Sequence, residues 1–161
     1  METVRKELNA FELLMQDHRE LESLFRDFHH LQQNRQNTGE VIANACAELR
    51  ILDTLRSEIF YFSVNEAADH NDVRLEGLLA KAYESRDTFL ELIAKVQQAP
   101  VDQDQRNADF AMLAGHVKQQ VLGDETNLFP LARKLRRLEL DSVTAAMKKR
   151  KSELCVEMGI V

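Results

Sequence analysis

Residues 11–28 read FELLMQDHRELESLFRDF, and the placing of their apolar side chains decides the fold. Phe11, Leu14, His18, Leu21, Phe25 and Phe28 recur at alternating steps of three and four. That period draws one stripe along an α-helix, the seam of a helix packed in a bundle. The spacing predicts a helix from about residue 4 to 35, ending in the polar run Gln32 to Gly39.

The same period continues along the chain. Ala45, Leu49, Leu52, Arg56 and Ile59 share the stripe of a second helix, with a break expected near Ser63-Val64-Asn65. A third helix is expected to open on an acidic first turn, Glu66 and Asp69, as the helix dipole favours. It carries Leu75, Leu78, Leu79, Ala82, Phe89, Leu92 and Val96 and must stop before Pro100. Val101 to Asn107 reads as a polar connector. A fourth helix places Phe110, Leu113, Val117, Gln120, Asp124 and Leu128 roughly in register, with Gly123 and Pro130 weakening its later part. A last helix is expected after the N-cap pair Asp141-Ser142, running through Val143 and Met147 toward Leu154.

Composition agrees with long helices. The 161 residues are 44% apolar and 30% charged, and seven Gly plus Pro cannot supply the turns of a sandwich or barrel. The reading is therefore one all-α domain over residues 1–161, an up-down-up-down four-helix bundle at about 4–137 with an additional C-terminal basic helix at about 141–156. Charged residues interrupt every apolar run before the ~20 residues of a membrane span. Glu2 and Glu7 argue against a signal peptide, and Cys46 and Cys155 form no metal spacing, so a cytoplasmic protein with reduced thiols is expected.

Charge is unevenly spread. Residues 133–151 hold eight basic side chains against Glu139 and Asp141, while the net charge of the whole is −6. A nucleic-acid reader would show a broader basic surface with stacking aromatics, so nucleic acid is not the expected partner. Lys148 to Lys151 reads as a solvated helix face able to dock on the acidic remainder. The sequence contains no Gly-rich phosphate loop, nucleophile elbow or Ser/His/Asp arrangement, so no enzyme activity is expected.

Polar residues on an apolar seam carry the functional information, because burying them costs free energy unless they are partnered. His18, Arg56, Gln120 and Asp124 stand out, joined by His70 if its end of the third helix points inward. Bundles build metal sites from such side chains on facing helices.

With the flanking runs, these residues resemble a known family. The chain is similar to hemerythrin-like (HHE cation-binding) domains over nearly its whole length. The matching runs are Asp17-His18 with Leu21 and Leu24-Phe25, then Leu49-Arg50 and Leu55 to Phe62, Glu66 to His70, and Asp124 to Lys134. The resemblance implies a four-helix bundle with a pair of non-haem iron ions, used to carry or sense oxygen or to handle nitric oxide or iron. The family's second and fourth helices carry His, three residues, Glu, five residues, Pro. Pro130 then sets Gln120 at the histidine position and Asp124 at the carboxylate position, while Ile59-Phe60-Tyr61 sets Leu52 and Arg56 at the corresponding places of the second helix.

By this register His18, His70 and Asp124 are remnant metal ligands, and Leu52, Arg56 and Gln120 are substituted ones. Leucine offers no lone pair, and arginine puts a permanent cation where iron would lie. Two other ligand sets are conceivable: a slide of the second helix that brings in Thr54 and Glu58, or an inward His116. The expected centre is instead an Arg56–Asp124 pair supported by Gln120 and one or both histidines, the alternative being an Arg56 that snorkels outward. The expectation is a metal-free binding, sensing or scaffold module that meets a protein partner or itself. The competing expectation is an iron protein with an altered ligand set.

Overall fold

The computed structural model describes residues 7–98 and 102–160, which fold into helices joined by short turns. Helix α1 spans Ala10–Gln33. It starts later than the expected residue 4, because Asn9 closes a capping box: its Oδ1 accepts from the Glu12 N–H at 3.0 Å, and its own N–H donates to Glu12 Oε1 at 3.2 Å. Residues 4–6 lie outside the described residues. After α1, Arg35 takes a left-handed φ of 55°, and the Gln36 N–H closes on the Leu31 carbonyl at 2.9 Å.

Helix α2, Gly39–Thr54, runs without a break through a π-helical segment, Leu55–Phe60, into α3, Tyr61–Ala67. The break expected at Ser63–Asn65 falls instead at Ala68–Asp72, since Val64 and Ala67 are still buried helical residues. Glu66 and Asp69 therefore do not open the next helix. That helix, α4 (Val73–Gln97), is capped by Asp72, whose Oδ1 accepts from the Leu75 N–H at 3.1 Å.

Helix α5 spans Gln103–Gly123, capped by Asp102 through the Gln105 N–H at 2.8 Å. The expected connector thus shrinks at its far end, and Asn107 is a buried helical residue that accepts from the Thr38 hydroxyl at 2.6 Å; Val101 lies outside the described residues. A second π-helical segment, Asp124–Leu128, leads into α6, Phe129–Ala132, with Pro130 in its first turn. Proline lacks the N–H of an α-helical bond and its ring crowds the carbonyl four residues earlier; the wider π turn just before it relieves both. Helix α7, Leu140–Glu157, follows Glu139, so Asp141 and Ser142 sit inside its first turn and not at its cap.

Helices α1, α2, α4 and α5 form an up-down core, with α1 against α2 and α4 against α5, and α7 lies as a fifth helix over α1 and the first π segment. The Ala10 N–H donates to Thr144 Oγ1 at 2.8 Å, and Lys151 reaches Asp17 at 2.7 Å. Arg150 lies 3.6 Å from Glu58, while Lys148 and Lys149 stay exposed, so the basic helix is half docked and half solvated. Both cysteines are free, and burial pushes the Cys46 thiol up to about 11. None of the described helices is long and apolar enough to cross a membrane.

The core is built on two aromatic groups. Phe28 meets Phe110 edge-on at 4.7 Å and Phe25 meets Phe110 at 5.8 Å. At the other level Phe60 sits 5.5 Å from Phe11 and 5.3 Å from Phe129, joining α1 to the ends of both π segments. Phe60→Ala removes a fully buried ring from this junction and should cost about 3–5 kcal/mol. Urea denaturation checks this: the midpoint should fall sharply at unchanged slope.

Candidate functional site

The polar centre of the bundle lies where the two π segments face each other. In an α-helix, residues five apart differ by about 140° and cannot share a face. A π turn, closed by a bond from residue i+5 back to i, brings them onto one side. The Tyr61 N–H bonds the Arg56 carbonyl, and the Phe129 N–H bonds the Asp124 carbonyl, so both segments close on the residues that turn inward.

Arg56 and Asp124 form a buried ion pair, with Nη2 2.9 Å from Oδ2 and side chains 8% and 9% exposed. Tyr61 completes it. Its hydroxyl donates to Asp124 Oδ2 at 2.7 Å and accepts from Arg56 Nε at 2.9 Å, with a further bond from Nη2. The guanidinium also lies 5.4 Å from the centre of the Tyr61 ring. Burial opposes the charge on Arg56, but Tyr61 and Asp124 outweigh it and hold its pKa above the usual arginine value. Burial and the Asp124 charge keep the Tyr61 hydroxyl protonated well past the usual range, against the pull of Arg56. The three groups act as cation, neutral relay and anion, each satisfied by the other two.

The expected Arg56–Asp124 pair is thus present, while its expected supports are elsewhere. Gln120 donates to Ser85 Oγ at 3.0 Å, and His70 is exposed in the turn between α3 and α4. Leu52 is buried in the apolar core. Glu58 is exposed, and His116 points to the Ser85 carbonyl at 3.1 Å, so neither alternative ligand set assembles. Tyr61 escaped the sequence reading because α-helical periodicity puts it off the Arg56 stripe; only the π turn brings it inward.

His18 belongs to a second network. Its Nδ1 lies 3.1 Å from Glu125 Oε1, and Arg19 Nη2 holds both Glu125 oxygens at 2.6 and 2.7 Å. Burial works against the Glu125 charge, but Arg19 and His18 together bring its pKa below the usual carboxylate value. An ionised carboxylate only accepts, so His18 Nδ1 carries the proton and donates. Burial, helped by the Arg56 charge, lowers the His18 pKa and keeps the ring neutral. Nε2 then presents a bare lone pair, and it is the buried side-chain nitrogen or oxygen without a partner among the described residues. The ring stacks on Phe129 with centroids 6.2 Å apart.

These donors do not fit an iron pair. Asp124 is bound to a guanidinium, the other remnant histidine is exposed, and among the described residues no three His, Cys, Asp or Glu side chains converge. Each missing ligand weakens such a site severely.

Two outcomes follow from this geometry. Arg56→Met or Asp124→Leu alone strands a buried charge and should cost about 3–5 kcal/mol, whereas the double variant should be more stable than either single one. Simple addition of the two losses in a denaturation cycle would show that the charges are not coupled. For His18, the folded state holds its proton less tightly than the unfolded chain, whose value is near 6.5. Its contribution is therefore full above that pH and is lost as pH falls below it. The melting temperature should drop between pH 8 and pH 5 and do so less in His18→Gln; equal drops would remove His18 as the cause.

The chain matches no family model, no curated protein and no solved structure.

Proposed function

We propose that this chain is a hemerythrin-like bundle in which the Arg56–Tyr61–Asp124 network stands in place of a metal centre, and that it serves as a non-catalytic binding, sensing or scaffold module. The observation that carries the reading is the guanidinium of Arg56 2.9 Å from Asp124, since a fixed cation there repels any metal ion seeking that carboxylate. The two π turns sit at matching places in the hemerythrin-like register, ending just before Phe62 and Pro130. The partner is another protein or a second copy of the chain. Nucleic acid is disfavoured, because two of the four cations of the basic helix, Arg150 and Lys151, are engaged in ion pairs with Asp17, Glu58, Glu153 and Glu157.

A second reading, an iron protein with an altered ligand set that handles oxygen, nitric oxide or iron, draws on the free lone pair of His18 Nε2. Metal analysis of protein purified from iron-supplemented cells separates the two. The expected result is iron far below one ion per chain, unchanged in His18→Ala and His70→Ala, with no oxo-bridge absorption. Near-stoichiometric iron with that absorption, lost in either variant, would reverse the ranking.

A further inference from the structure

Beside the buried ion pair, between α4 and the end of α5, lies a cavity of about 180 Å³. A cavity of roughly 150 Å³ admits a benzene-sized molecule, so this one has room for a small organic ligand. Arg56 forms part of its wall. The bonds of Arg56 to Tyr61 and Asp124 leave from Nε and Nη2, so Nη1 is the arm they do not use. Among the described residues Nη1 makes no hydrogen bond, and the Arg56 side chain keeps 8% of its surface exposed.

The charge of the wall selects the ligand. Lys81 stands on the α4 side and makes no ion pair among the described residues. Asp124 is the carboxylate in the wall, and its charge is already met by Arg56 and Tyr61. Gln119 and Asn127 add amide donors. Leu78, Ala82 and Leu128 supply an apolar side. A ligand here meets an uncommitted cation, a half-committed one and a patch of hydrocarbon.

Gly123 stands in the wall without a side chain. It has an ordinary helical φ of −62°, so its conformation does not require glycine, and a Cβ built on it would meet nothing within 4 Å. Glycine is the poorest helix former after proline, and at this place its lack of a side chain leaves the cavity wall bare.

We propose that this cavity binds a small amphipathic carboxylate, its carboxylate between Arg56 Nη1 and Lys81 and its apolar body against Leu78, Ala82 and Leu128. This deepens the reading of the bundle as a metal-free binding module and rests on it in one respect: Arg56, and no metal ion, supplies the charge at the centre. The cavity is small enough to favour a single ring or a short branched chain.

Full-length protein treated with EDTA is titrated with benzoate, phenylacetate and isovalerate at constant ionic strength, by calorimetry and by thermal shift. At least one should bind saturably, with benzamide, the neutral isostere of benzoate, and inorganic phosphate both at least tenfold weaker. Gly123→Leu should abolish binding while retaining or raising the melting temperature. Lys81→Gln, an exposed change that leaves the fold intact, should weaken binding about tenfold. Saturable binding of none of the three acids overturns the proposal, as does benzamide or phosphate binding equally well, or binding indifferent to both substitutions. Iron content is read on untreated protein, so loss of the metal-free reading and loss of the carboxylate site are separate results.

Discussion

A guanidinium cannot be left alone inside a helical bundle, and Arg56 is buried there. Removing such a charge from water costs several kcal/mol even after relaxation, so the surrounding chain must deliver an anion and further acceptors at short range. Asp124 comes from the opposite rod of the bundle and the Tyr61 hydroxyl from five residues along the same one. Both arrive only because each rod loosens from α to π geometry at the level where they meet. The widened turns are thus the backbone's part of the solution to a charge problem. They also set Phe60 and Phe129 edge to face beside Phe11, so the polar centre and its aromatic floor share one local distortion.

Adjacent carboxylates then divide the space. Asp124 turns inward to Arg56, and Glu125 turns toward α1, where Arg19 and His18 hold it. If His18 carried a charge, two cations would face each other across the bundle; burial and Arg56 both drive its proton off. The result is one buried ionised pair, Arg56–Asp124, with one neutral imidazole and one neutral phenol beside it and the Arg19–Glu125 pair at the more exposed margin, a distribution that a dry interior tolerates. Its residual cost is His18 Nε2, without a partner among the described residues, of order 1–3 kcal/mol for a buried acceptor left unmade.

The helices were legible in the sequence wherever apolar side chains kept a steady period. Phe11 to Phe28 and Leu75 to Val96 fall inside α1 and α4, and a fifth helix follows the fourth as expected. Ends were less legible, because they depend on which polar side chain captures a free N–H: Asn9, Asp72 and Asp102 do so, while Asp141 and Ser142 do not. The Arg56–Asp124 pair was readable because both residues interrupt an apolar stripe and have no other reason to be there. Tyr61 was not, since a periodicity of 3.6 residues per turn carries no information about where a helix departs from it. His70 was misplaced for a related reason: the break after α3 comes five residues later than composition indicates, which leaves it in an exposed turn.

Stability does not account for the centre. A buried pair replaced by apolar side chains of similar volume usually leaves a protein as stable or more so, and this bundle already has an aromatic core on either side into which such residues would merge. What the pair supplies, and leucine or phenylalanine could not, is a cation fixed in direction. Tyr61 and Asp124 hold the guanidinium by one edge, and Arg56 also lines a cavity whose other walls include Lys81, His116, Ser85, amide side chains and hydrocarbon. Preorganisation of this kind removes the entropic cost of ordering a flexible side chain when a ligand arrives. The same bonds that make the charge tolerable therefore also fix its direction.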